Sequence, residues 1–439
     1  MSDAGDPSSD PPNPAPAARM TRSEWALVLI LAAIQFTHMV DFVIIMPLGE
    51  RVMRELALTA TQFGHVVSVY AIAAAVASLI AATVMDRFDR KRVLLVMYAG
   101  FTVSTLYCGF AQRYETLLLS RTLAGAFGGV SAVVIMAIIG DVFPVHRRGR
   151  ASGAVMSSFA VASIAGLPAG LVLAANFGRG APFLALAGLS AVVWLGVLLK
   201  LPSLTGHRED AARRHIWKDF AAVARKPAHL KAFLFTFTLV LGTFTAIPFI
   251  GPYLTLNNGV TEKNLALMYS VAGVLTLIGM NVMGRLSDSL PRVTLFRVLA
   301  FGAMVVVLVL TNLPQVSLWV IIVVVSLFMV CAAGRMVPIQ AILVGVAEPR
   351  YRGAFLSLNT AVQHLATGVA PMVAGLVVVK TDTALLGYPT VGLIAACSAL
   401  LSIVLAGWLK PKAPADSGGL ARRPQALNLK VTAGKPAAI

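Results

Sequence analysis

The chain reads as an all-α membrane protein: twelve transmembrane helices arranged as two pseudosymmetric six-helix bundles. Composition points there first, because 58% of the 439 residues are hydrophobic and only 13% are charged. A soluble chain of this length could not cover that apolar surface with so little polar surface. Next, apolar runs of about 20 residues, the length that spans a bilayer, occur twelve times. Finally, two loop signatures recur at nearly the same offset, which marks a duplicated six-span unit.

In chain order, residues 1–23 form a disordered N-terminus rich in Pro, Ala, Ser and Asp. Arg19 and Arg22 ahead of an apolar run imitate a signal peptide. That run is too long, carries His38 and Asp41, and lacks a small-residue cleavage site, so it reads as an uncleaved first span. The first bundle, 24–200, holds spans at 25–48, 61–84, 93–111, 116–140, 151–174 and 182–199. A polar linker, 201–230, follows. Within it Ile216, Phe220 and Val223 keep helical spacing, consistent with a surface helix or a solvated connector. The second bundle, 231–410, holds spans at 232–255, 265–286, 294–312, 315–345, 354–379 and 388–409, before a basic tail at 411–439.

A net charge of +17 invites a nucleic-acid reading, but its distribution removes the need for one. With the N-terminus inside, inner segments together with the inner ends of spans collect 28 of the 36 Lys and Arg residues. The outer loops hold only Arg51, Arg54, Arg113, Arg179, Lys263 and Lys380, and two more, Arg121 and Arg335, lie within spans. This asymmetry sets the orientation, with both termini cytoplasmic. Cys108, Cys331 and Cys397 all sit in apolar runs without pairing or metal spacing, so they read as packing residues. No metal site, metalloprotease helix, serine nucleophile with a placed base or Walker loop is present in the sequence. The reading is therefore not an enzyme, with no cofactor and no direct use of ATP.

The repeat rests on two signatures. ATVMDRFDRKR at 82–92 follows the second span and GRLSDSLPRV at 284–293 the eighth, placing Asp86 and Asp288 202 residues apart. RRGRAS at 147–152 and YRGAFLS at 351–357 follow the fourth and tenth spans, placing Gly149 and Gly353 204 apart.

These residues resemble the major facilitator superfamily over about 20–410. Ala82, Val84, Asp86, Arg87, Asp89, Arg90 and Lys91 occupy the places of its loop signature, with both family glycines replaced. Arg121-x-x-x-Gly125 followed by Asp141-x-x-Pro144-x-x-Arg147 resembles the twelve-span drug:proton antiporter branch, with Ala124 where that branch has glutamine. GLPAG at 166–170 resembles the antiporter motif in its sugar-efflux-like form. Physically, Ser158, Ala162, Gly166 and Gly170 make a small-residue stripe for a neighbouring helix, and Pro168 permits a bend.

The resemblance implies that spans one and four border a central cavity. Gln35, His38 and Asp41 follow one another at three-residue steps in span one. Asp41 lies roughly 10 Å from the outer end of its span and Arg121 roughly 8 Å from the same side. A carboxylate at membrane depth costs roughly 2.5–3.5 kcal/mol on insertion scales, so Asp41 is expected to face a wet cavity with Arg121 in reach. That pair suits proton coupling, with His38 as a further protonation site. Arg335 in span ten and Asn359, Gln363 and His364 in span eleven, with Gln35, are candidates for solute contact. Asp86, Arg87, Arg90, Arg147 and Asp288 are candidates for gating, Asp86 and Arg90 at the start of span eleven and Asp288 beside span five.

The function these residues imply is secondary active transport of a small organic solute by alternating access. The form favoured is proton-coupled efflux of a drug or sugar-like compound through a bacterial inner membrane by a monomer. Proton-linked uptake on the same scaffold is the alternative, and a membrane receptor or intramembrane enzyme a remote one. The expected partners are the solute, protons and the lipid bilayer, with no nucleic acid.

Overall fold

Side-chain caps fix where several helices begin. Thr21 accepts from the Glu24 amide at 3.2 Å while Glu24 accepts from the Thr21 amide at 2.8 Å. Thr59 and Gln62 repeat this reciprocal arrangement at 3.1 and 3.0 Å. Each box satisfies amides that the first helical turn leaves without partners. In the computed structural model, which describes residues 20–85, 88–201 and 216–409, twelve helices are long and apolar enough to cross a membrane.

In order they are Arg22–Ile44, Ala60–Val84, Arg90–Phe110, Tyr114–Val142, Arg147–Phe177 and Ala181–Lys200, then Pro227–Asn258, Glu262–Ser289, Arg292–Thr311, Leu318–Val346, Arg352–Val377 and Tyr388–Ala406. These are spans one to twelve. Span eleven stops at Val377 because Val379–Lys380 pairs antiparallel with Leu385–Leu386, closing the loop to span twelve. Of the linker, Ile216–Ala224 is helical, with Val223 and Phe220 buried against the second half and Trp217 exposed. Residues 1–19 of the expected disordered N-terminus, the tail and residues 202–215 of the linker lie outside the described residues.

The first six spans pack mainly among themselves, as do the last six. The halves meet chiefly where span two runs along span eleven and span five along span eight. Span two and span eleven touch at backbone distance. A Cβ on Gly64 would sit 2.5 Å from the Pro371 carbonyl oxygen, and the Thr61 hydroxyl donates to the Gly375 carbonyl at 2.7 Å. Only small residues allow so close an approach.

The buried core is asymmetric across the membrane. On the face away from the basic loops, one cluster is continuous across both halves and joins Ile44, Phe63, Phe183, Phe249, Leu310 and Tyr388. Toward the basic face it gives way to separate clusters, one around Tyr98, Val134 and Val155 and the other around Phe235, Phe296 and Phe355. Ion pairs follow the same division. Arg51 of the short helix Gly49–Glu55 reaches Glu262 of span eight at 3.0 Å, tying the halves together on the face away from the basic loops. Toward the basic face the described pairs Arg90–Asp141, Arg147–Glu24 and Lys226–Glu348 each stay within one half.

Candidate functional site: a buried charge pair on span one

Span one sorts its side chains by neighbour. Val40 and Ile44, one turn apart, face span five: a Cβ on Gly166 would collide with Val40 Cγ2, and one on Gly170 would lie 2.5 Å from Ile44 Cδ1. Thr37 and Asp41, also one turn apart, face span three. The Thr37 and Tyr98 hydroxyls share a 2.8 Å hydrogen bond, and Thr105 donates to Asp41 Oδ1 at 3.3 Å. His38 and Phe42 face Tyr70 of span two, with ring centroids 5.8 and 5.3 Å away. Phe42 also touches Phe244 of span seven, 6.1 Å between centroids, so this face meets the other half.

Arg121 reaches Asp41 from span four. Its Nη1 donates to Asp41 Oδ2 at 3.0 Å and to the Asp41 carbonyl at 2.9 Å. Its guanidinium also lies over the Tyr70 ring, 4.3 Å from the centroid. Both charged side chains are 0% exposed. Desolvating two ions costs several kcal/mol each, which close geometry and added hydrogen bonds must offset. Here the Thr105 hydroxyl, the backbone carbonyl and the Tyr70 face provide that. The water-facing carboxylate expected from the sequence is corrected: Asp41 is enclosed among spans one, three and four. Span three contributes to the pair through the Thr105 hydroxyl.

The remaining residues divide by location. His38 is 5% exposed, and neither ring nitrogen has a hydrogen-bond partner among the described residues. Gln35 is buried, whereas Gln363 and His364 are half-buried. Asn359 accepts from Thr236 of span seven at 2.8 Å, so part of its polarity is spent between helices. Arg335 stands at the junction of two helical segments of span ten, Leu318–Gly334 and Met336–Val346, and donates to the Thr243 hydroxyl of span seven.

The GLPAG stretch follows a π-helical turn, Ala162–Gly166, inside span five. Pro168 offers no amide to the preceding turn, and the wider turn absorbs that loss. Two of the candidate gating residues make ion pairs inside the first half. Arg90 pairs with Asp141 of span four at 3.1 Å, and Arg147 pairs with Glu24 of span one at 3.1 Å. Asp288 is exposed at the end of span eight and makes no ion pair among the described residues. Asp86 and Arg87 lie outside the described residues.

Sequence reasoning missed Tyr70, Thr105 and Thr243, which touch the interior charges, and the Arg51–Glu262 pair. A hydroxyl in an apolar helix carries little signal, since it satisfies itself on the preceding turn, as Thr311 does. Arg51 and Glu262 could have been noticed as opposite charges in two loops on one face.

Twelve spans in two halves, joined on one face and separate on the other around a buried charge pair, define a membrane transporter rather than an enzyme. The model of the Major Facilitator Superfamily matches residues 31–334 and 232–438, and the chain belongs to that family. It is similar to YceJ of Bacillus subtilis (strain 168), described as an uncharacterized MFS-type transporter, with 25% identity over 363 residues, 81% of this chain and 90% of the relative. Among solved structures, a point mutant of the nucleoside transporter NupG superposes with a TM-score of 0.72 at 13% identity, covering 88% of this chain and 100% of that one. The xylose transporter XylE from E. coli, in a partially occluded inward open conformation, gives 0.70 at 14% identity, covering 89% and 98%.

Proposed function

We propose that this transporter exports a small organic solute, drug-like or sugar-like, in exchange for protons, working as a monomer by alternating access. The basic face is cytoplasmic, the membrane is the bacterial inner membrane, and segments 24–200 and 231–410 rock as two bodies. The observation that carries this reading is the Asp41–Arg121 pair, fully buried and held at 3.0 Å. Protonating Asp41 removes the charge that holds Arg121. The freed guanidinium then needs new partners, and span one can shift against spans three and four. Because Val40 and Ile44 of the same helix lie on the glycines of span five, and span five runs along span eight of the other half, that shift reaches the interface between the halves. This chain of contacts supports a coupling role for the antiporter-like stretch Gly166, Pro168 and Gly170. Each proton entering with the membrane potential supplies about 2.3 kcal/mol per 100 mV.

The nucleoside and sugar specificities named for the solved relatives are compatible with a polar organic solute, and fold alone does not fix direction. The test begins with growth inhibition across a compound panel, with and without expression. Flux of any compound so found is then measured in liposomes of known orientation under an imposed proton gradient. Solute and protons are expected to move in opposite directions, and Asp41→Asn to abolish the gradient-driven component while folded protein persists. Movement in the same direction would establish uptake, and undiminished gradient-driven flux in Asp41→Asn would remove Asp41 as the coupling group.

A further inference from the structure

Among the described residues, the membrane interior of this protein holds more buried cations than anions. Asp41 is the acidic residue buried within the first half's spans, and it is committed to Arg121. Arg335 is 2% exposed and donates to a neutral hydroxyl, Thr243, and its Nε has no partner. In the second half the described acids are Asp219, Glu262, Asp288, Glu348 and Asp382. Each lies in a loop, in the linker helix or within a turn of a helix end. Arg335, by contrast, is eleven residues from the basic end of span ten at Val346, about 17 Å along the helix. Asp41 is occupied by Arg121 and Thr105, and among the described residues no ion pair joins it to Arg335.

A desolvated guanidinium without a carboxylate is costly, since the paired form depends on the partner's charge. Such a group persists in a transporter when an anion completes it. Gln363 and His364 lie eleven and twelve residues into span eleven from its basic end at Arg352, well inside the membrane. They are half-buried. Arg335 can offer the fork that suits a carboxylate, and the neutral groups around it can bind the rest of a polar solute.

We propose that the transported solute is an organic carboxylate and that Arg335 is its charge receptor. This rests on the transport reading given above, but neither on its direction nor on proton coupling.

Binding to purified protein in detergent, without any gradient, separates the two. Thermal unfolding would be followed with matched acid and neutral compounds: benzoate with benzamide, hexanoate with hexanamide, gluconate with glucose. At least one acid is expected to stabilise the wild-type protein where its neutral partner does not. Arg335→Gln is expected to weaken that acid about ten- to hundredfold, the worth of a charge-assisted hydrogen bond, and to leave neutral compounds unaffected. If Arg335→Gln does not fold, Arg335→Lys decides, because it keeps the charge and loses the fork; a several-fold loss confined to the acid is expected. The proposal is overturned if no acid exceeds its neutral partner, or if the acid binds the Arg335 variant as tightly as wild type. Either result leaves proton-driven export standing, and failure of the gradient experiment leaves this one intact.

Discussion

Removing one member of a buried ion pair strands the other, and this asymmetry tests whether Asp41 and Arg121 act as a unit. Both are 0% exposed and 3.0 Å apart. Either Asp41→Asn or Arg121→Gln should therefore cost about 3–5 kcal/mol. The double variant should be less damaged than the sum of the two, by about 1–3 kcal/mol of coupling. Denaturation of the purified single and double variants measures this, and strict additivity would mean that the charges do not interact. The pair was legible in the sequence because a charge inside an apolar run is rare, and counting residues put both at similar depth. Its surroundings were not legible. Whether Asp41 meets water or Thr105 depends on how span one is rotated, and Tyr70 matters only because its ring lies under Arg121.

The glycines of span five show how the same residue type can be indispensable or idle a few turns apart. A Cβ on Gly166 would run into Val40, whereas one on Gly153 meets nothing within 4 Å. Gly153→Ala should thus be neutral or stabilising by up to about 1 kcal/mol, as expected for helix propensity. Gly166→Ala should destabilise by about 1–3 kcal/mol through overpacking and should lower transport, because it displaces the helix that carries Asp41. Thermal unfolding and vesicle flux of the two variants check the contrast; equal effects would show that the span one contact is not tight. The stripe itself was readable from spacing, as were all twelve spans to within a few residues at most ends. The π-helical turn before Pro168 was not, since proline signals a lost hydrogen bond without saying how the helix absorbs it. The partners of the loop charges were hidden for a similar reason: position after span two identifies Arg90, but its pairing with Asp141 depends on how spans three and four pack.

At the scale of the molecule, the repeated loops announced two six-span halves, but nothing in the repeat said which face would be closed. Closure is written instead in contacts between segments far apart in sequence. One of these is electrostatic and can be tuned without touching the core. Arg51 and Glu262 are 18% and 21% exposed at the side chain and lie 3.0 Å apart across the halves. A partly exposed pair of this kind is worth about 0.2–1 kcal/mol. Glu262→Gln should therefore raise the fraction open on this face about 1.4- to fivefold, at that energy. Spin labels at Gln112→Cys and Gln315→Cys, in loops of opposite halves on the same face, would report it in a Cys397→Ser background. Their distance distribution should gain a longer component in Glu262→Gln. Glu50→Gln is the control, because the Glu50–Arg54 pair at 2.7 Å lies within one helix of one half and its loss should leave the distribution unchanged. If both variants shift the distances equally, net loop charge rather than the bridge sets the balance. If neither does, the backbone contact of spans two and eleven holds this face shut without help from the ion pair.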